Sequence, residues 1–111
     1  VECLFCRIAA REIPSKKVYE DERVYAFEDI APKAPTHILI IPKKHIARLS
    51  DAAAEDAPLI GEVAARAAAI ARDKGLPHYR LVLNDGEGAG QSVFHLHFHL
   101  LGGRALGWPP G

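Results

Sequence analysis

The run VFHLHFHLLGG, residues 93–103, holds three of the chain's six histidines, His95, His97 and His99, in strict alternation with apolar residues. On a helix, positions i, i+2 and i+4 spread around more than half of the cylinder. On a strand they share one side, roughly 6.5–7 Å apart. The run is rich in Val, Phe and Leu and closes on Gly102–Gly103, which favours a strand over residues 93–101. That reading lines His95, His97 and His99 along one face and Phe94, Leu96, Phe98 and Leu100 along the other. Three imidazoles are a costly filling for an apolar core, so the histidine face calls for a chemical role.

Working outward, residues 79–84 read as a second strand and 36–41 as a third, β-branched and apolar, stopped by Pro42. On the latter, His37 shares a face with Leu39 and Ile41. Residues 18–19 and 24–27 read as a hairpin across an acidic turn. Leu4, Phe5 and Ile8 recur at helical spacing, which predicts a short helix over 3–11. The main helix is expected over 55–74, with Pro58 in its first turn and Gly75 beyond its end. Its apolar stripe is Leu59, Ile60, Val63, Ala64, Ala67, Ile70 and Ala71, and Glu62 and Arg66 stand at pairing distance on the polar side. About five strands with one long helix point to an α+β fold with a mostly antiparallel sheet.

A chain of 111 residues suits one compact domain. Fourteen basic residues balance fourteen acidic ones, with no basic stripe suited to a nucleic-acid backbone. The longest apolar runs are too short for a membrane span, and nothing resembles a signal peptide, so a cytoplasmic protein is expected. There is one Asn (Asn84), one Gln (Gln91), one Thr (Thr36) and no Met. This scarcity of thermolabile residues points weakly to a heat-adapted source. Asn84 and Gln91 flank the glycine-rich stretch that precedes the histidines. His78 matches no pattern and reads as a surface residue.

Glycines let backbone N–H groups approach an oxyanion closely, and Asn84, Gln91 and Ser92 add neutral hydrogen bonds. No Gly-Lys-Ser/Thr follows, so the loop is not a P-loop. An imidazole face beside such a loop suits nucleophilic attack on phosphorus, because neutral histidine is a good nucleophile near pH 7. Metal binding competes: an H-x-H pair with a third imidazole can hold catalytic zinc. Spacing alone leaves the two open. His37 on its own reads equally as a hydrogen-bonded histidine of the sheet, and Asp29 as a turn residue. The pair Cys3 and Cys6 is either two plain thiols or half of a metal site.

The motif His95-Leu-His97-Phe-His99-Leu-Leu resembles the signature of the histidine triad family of nucleotide hydrolases and transferases. FEDIAPKAPTHILIIPKKH (27–45), NDGEGAGQSVFHLHFHLLGGR (84–104) and WPPG (108–111) are similar to its histidine triad nucleotide-binding branch. The similarity spans essentially the whole chain, which is then a single domain over 1–111. The resemblance implies a homodimer with one sheet continued across the pair and a tail, 104–111, that reaches the partner. It implies that His97 takes up the nucleoside monophosphate and that His99 bonds the phosphate. His95 would support His97 through its carbonyl, and His37 would complete the cluster. Asn84, Gly90, Gln91 and Ser92 would bind near the phosphate or leaving group. Asp29 and Ile30 would hold the ribose, Phe5, Ile8 and Ile13 the purine, and Trp108 of the tail would shape substrate preference. The implied reaction is hydrolysis of purine nucleoside 5′-phosphoramidates, and of acyl-adenylates, with no cofactor needed for the chemistry.

Some bacterial members with a CxxC at this position hold a structural zinc, and the corresponding residues here are Cys3, Cys6, His45 and His95. Two other readings stay open at this point. One is a non-catalytic nucleotide-binding module serving a protein partner. The other is a zinc-dependent hydrolase with the triad as ligands.

Overall fold

The computed structural model describes residues 3–111. Its five strands are β1 (Lys17–Glu20), β2 (Val24–Glu28), β3 (Thr36–Pro42), β4 (Tyr79–Leu83) and β5 (Phe98–Gly102). They form one sheet in the order β1-β2-β3-β5-β4, every neighbouring pair antiparallel. Two helices flank it, α1 (Leu4–Ala9) and α2 (Ala57–Asp73). The expected α+β class, one antiparallel sheet with one long and one short helix, is what the chain adopts. No helix among the described residues is long and apolar enough to cross a membrane.

Alternation along the strands gives the sheet two different faces. Val24, Ala26, Ile38, Ile40 and Leu100 point to one side and pack on Val63, Ala67, Ile70 and Ala71 of α2. The helical stripe therefore does what its spacing predicts; burying Val63 and Ile70 contributes about 1.5–3 kcal/mol each. The other face presents Tyr25, Phe27, Leu39 and Ile41 to Phe5 and Ile8 of α1. Phe5 meets Phe27 edge-on, ring centroids 5.4 Å apart.

Three expectations need correction. The histidine strand starts at Phe98, so residues 93–97 are irregular. There the backbone bonds elsewhere: Leu96 N–H donates to the Ile46 carbonyl at 2.6 Å, and His97 folds back on its own chain. His95, His97 and His99 still lie on the α1 side, Phe5 meeting the rings of both His95 and His97 edge-on and His97 lying 4.9 Å from His99, while Phe98 and Leu100 pack on the α2 side. Phe94, expected inside, is 44% exposed. Glu62 and Arg66 find partners on other elements. Glu62 meets Arg23 at 3.0 Å, and the Arg66 guanidinium lies 4.1 Å from the centre of the Tyr19 ring.

Candidate active site

Two clusters of polar side chains lie on the α1 side of the sheet. The first is a relay of imidazoles. Register sets Leu39 opposite His99, which brings His37, two residues earlier on β3, diagonally up to His99. His37 Nε2 lies 2.9 Å from His99 Nδ1, and the Lys33 backbone N–H donates to His37 Nδ1 at 3.0 Å. A backbone N–H can only donate, so His37 Nδ1 is bare and its Nε2 carries the proton. That proton goes to His99 Nδ1, so neutral His99 carries its own proton on Nε2. Asp29 Oδ2, 3.4 Å from His37 Nε2, favours the same tautomer, while Asp29 Oδ1 accepts the Ala31 N–H at 2.8 Å.

His97 sits beside this relay, its ring centroid 4.9 Å from that of His99. Its Nδ1 donates to the His95 carbonyl at 2.7 Å. A carbonyl only accepts, so the proton is on Nδ1 and the Nε2 lone pair is free. Phe5 meets the ring edge-on at 5.0 Å, and His97 is 5% exposed. Burial lowers the pKa of His37, His97 and His99, that of His99 to about 4, so the rings are neutral near pH 7. The arrangement offers one bare nitrogen next to one N–H donor.

The second cluster is His95, His45, Cys3 and Cys6. His95 is fully buried, and its Nε2–H donates to the Pro42 carbonyl at 2.7 Å. Its Nδ1 lone pair therefore faces Cys3 Sγ at 3.3 Å, Cys6 Sγ at 3.5 Å and His45 Nδ1 at 3.3 Å. Cys6 Sγ is also 3.5 Å from His45 Nδ1. Ligands of a tetrahedral zinc ion at ordinary bond lengths sit roughly 3.3–3.7 Å apart, so this donor set fits such an ion. Cys3 caps α1, its Sγ accepting the Cys6 N–H at 3.3 Å, and the helix thus delivers both sulfurs to one point. Burial, and then the Cys3 thiol, raise the Cys6 pKa to about 11; binding a metal would release that proton.

Asp29, His37 and His99 form a second group of donors close enough for an ion. Their hydrogen bonds argue against that use. The facing nitrogens of His37 and His99 share a proton, and Lys33 N–H occupies the far nitrogen of His37.

The remaining expected residues are distributed unevenly. Asp29 and Ile30 border a cleft of ≈ 540 Å³ with Pro14, Ser15 and Pro32, and Ile30 is 99% exposed. Phe5 and Ile8 are buried, and Ile13 packs beside them. Gly90 adopts the left-handed conformation (φ 101°), and its α-carbon faces the Asn84 amide. Ser92 is exposed, whereas Gln91 next to it is buried. The loop N–H groups of Ala89, Gly90 and Gln91 all donate within the loop, to Gly86 or Glu87 carbonyls. Trp108 is exposed, with the Arg80 guanidinium 5.8 Å from its ring and bonded to the Gly107 carbonyl. His78 is exposed, as expected. Sequence reasoning missed the backbone groups that set the tautomers: Lys33 N–H and the Pro42 carbonyl carry no residue-type signature.

The HIT domain family matches residues 10–106. The chain belongs to the HIT domain family. This HIT protein is 52% identical to an uncharacterized HIT-like protein of Synechococcus elongatus, over 99% of this chain and 97% of the relative. Its fold is that of a HIT family hydrolase from Legionella pneumophila (TM-score 0.97, 53% identity, 99% of this chain and 100% of that one). It also resembles a histidine triad nucleotide-binding protein from Candida albicans (TM-score 0.81, 34% identity, 97% and 83%). The HIT fold and its hydrolase-type neighbours agree with the site: a bare imidazole nitrogen flanked by a donor.

Proposed function

We propose that this HIT protein hydrolyses purine nucleoside 5′-phosphoramidates, and acyl-adenylates, through a nucleotidyl intermediate on His97. The observation that carries this reading is the His97 Nδ1–H bond to the His95 carbonyl, which leaves Nε2 bare beside the Nε2–H of His99. In the first step the Nε2 lone pair attacks phosphorus and the bond to the leaving group breaks: the P–N bond of a phosphoramidate, whose leaving nitrogen takes up a proton from solvent, or the P–O bond of an acyl-adenylate, whose carboxylate leaves without one. In this reading Ser92, which is exposed beside the loop, contacts that nitrogen. His99 Nε2–H donates to a non-bridging oxygen as charge develops there. In the second step water attacks phosphorus, the N–P bond breaks, and the nucleoside monophosphate leaves with the water oxygen.

In this reading Asp29 and Ile30 bind the ribose, Phe5, Ile8 and Ile13 the purine, and Asn84 and Gly90 the phosphate side. The single HIT domain works as a homodimer of the nucleotide-binding branch, and the tail with Trp108 reaches the partner's site. Cys3, Cys6, His45 and His95 would hold a zinc ion, which supplies a structural cross-link between α1 and the segments carrying His45 and His95. Neutral His97 needs no metal to act as a nucleophile.

The test is AMP release from adenosine 5′-phosphoramidate, with and without a chelator, beside His97→Ala. Release that resists chelation and vanishes in the variant is the expected result. Binding of AMP with no turnover by the intact protein would favour a nucleotide-binding module, and collapse on chelation with the fold intact would favour a metallohydrolase.

A further inference from the structure

Gln91 is 2% exposed, yet every polar atom of its amide has a partner. Oε1 accepts the Gly86 N–H at 2.8 Å. Nε2 donates to the Ala47 carbonyl at 2.8 Å and the Val93 carbonyl at 3.1 Å. That uses both amide hydrogens. Its backbone N–H is taken as well, by the Gly86 carbonyl at 3.0 Å. We propose that Gln91 is a positioning residue, which staples the glycine loop and the 46–47 segment to the chain leading into the histidines and does not touch substrate. The proposal rests on the phosphoramidase reading above.

Its neighbours support it. The Ala47 rung lies next to the one in which Leu96 N–H donates to the Ile46 carbonyl. Together these rungs tie residues 46–47 to both ends of the 91–96 segment. His95, inside that segment, supplies the carbonyl that fixes the tautomer of His97. Asp85 adds a tie to the same region, its Oδ2 accepting the Ser50 N–H at 2.8 Å. For the Gln91 amide to reach a phosphate it would have to abandon the carbonyls of half-buried Ala47 and Val93, and the Gly86 N–H, that it now satisfies. Ser92, one residue on and exposed, is free to face substrate instead.

The experiment compares the full chain with Gln91→Ala and with Gln91→Met. The Met variant fills nearly the same volume without the amide's donors and acceptor, so it serves if the Ala variant does not fold. Three quantities are read: the rate of adduct formation at His97 from an alkylamine and an arylamine adenosine phosphoramidate, AMP affinity, and amide exchange over 86–97 without nucleotide. We expect the adduct rate to fall roughly 10²-fold, by one factor for both leaving groups, with kcat affected more than KM and faster exchange over 86–97. A loss that differs between the leaving groups, with exchange unchanged, would put Gln91 on the substrate and overturn the proposal. So would a lower melting temperature with an unaltered rate per folded molecule. Should the unsubstituted protein bind AMP but form no adduct, the phosphoramidase reading fails; unchanged exchange and AMP affinity in the variants would then sink the staple separately.

Discussion

His95 and His97 are two residues apart, both are buried and both carry one ring proton, yet they are set up for different work. His97 donates from Nδ1 to a carbonyl of its own segment, and the nitrogen left bare is Nε2, beside His99. His95 donates from Nε2 to Pro42 on a neighbouring segment, and the nitrogen left bare is Nδ1, facing two sulfurs and His45. The same side chain is a candidate nucleophile in one place and a metal-ligand candidate in the other. A backbone carbonyl behind the ring decides which nitrogen keeps its lone pair, and so decides the chemistry.

Removing His97 is the most direct way to break the comparison. His97→Ala should lower turnover on the order of 10⁴-fold while retaining AMP binding and any metal at Cys3 and Cys6. Adduct trapping by mass spectrometry together with metal analysis of one sample checks both halves. The reverse substitution acts on the other cluster. Cys3→Ser or Cys6→Ser should weaken zinc binding by at least about 10²-fold and lower the melting temperature, with far less effect on the chemical step. Zinc titration against a competing chelator, with calorimetry, measures it.

A smaller effect is expected behind the relay. His37→Ala removes the group that gives His99 its tautomer, and kcat/KM should fall about 10-fold with AMP affinity nearly unchanged. A nitrogen NMR spectrum should then show His99 no longer held in one tautomer. The last test is acid. Burial holds His99 at about 4, below the ordinary histidine value near 6.5, and lowers His37 as well. Both are neutral in the folded chain, so their contribution to stability is complete above about pH 6.5 and is lost as pH falls from there towards 4. For His99 the loss is on the order of 2 kcal/mol, read from melting temperatures across that range. The same shift should keep the acid limb of kcat/KM below pH 6.5.

Most of the architecture was legible in the sequence because it rests on period and punctuation. The apolar, β-branched run in 36–41, the stripe on the helix read over 55–74 and the glycine after it each report directly on burial. The geometry of 93–97 was not legible. A period of two announces a strand, but Leu96 finds its partner in Ile46 and His97 bonds within its own segment. Long-range meetings were also hidden: Cys3 and His95 are 92 positions apart, and resemblance, not spacing, suggested that they meet. Gln91 stood out as the one glutamine, and only its burial and three backbone partners show how its amide is used here.

The strand order bears on how the molecule comes to exist. β5 is the last of the five strands to be made, yet it lies inside the sheet, between β3 and β4. While a ribosome is still making the preceding residues, β3 and β4 each present an open edge with no strand to pair it. The residue that would carry the nucleotide and the strand that closes the gap emerge within a few codons of each other. An unfinished chain of this kind therefore has neither a closed sheet nor a reactive histidine, and competence arrives in one late, non-local step.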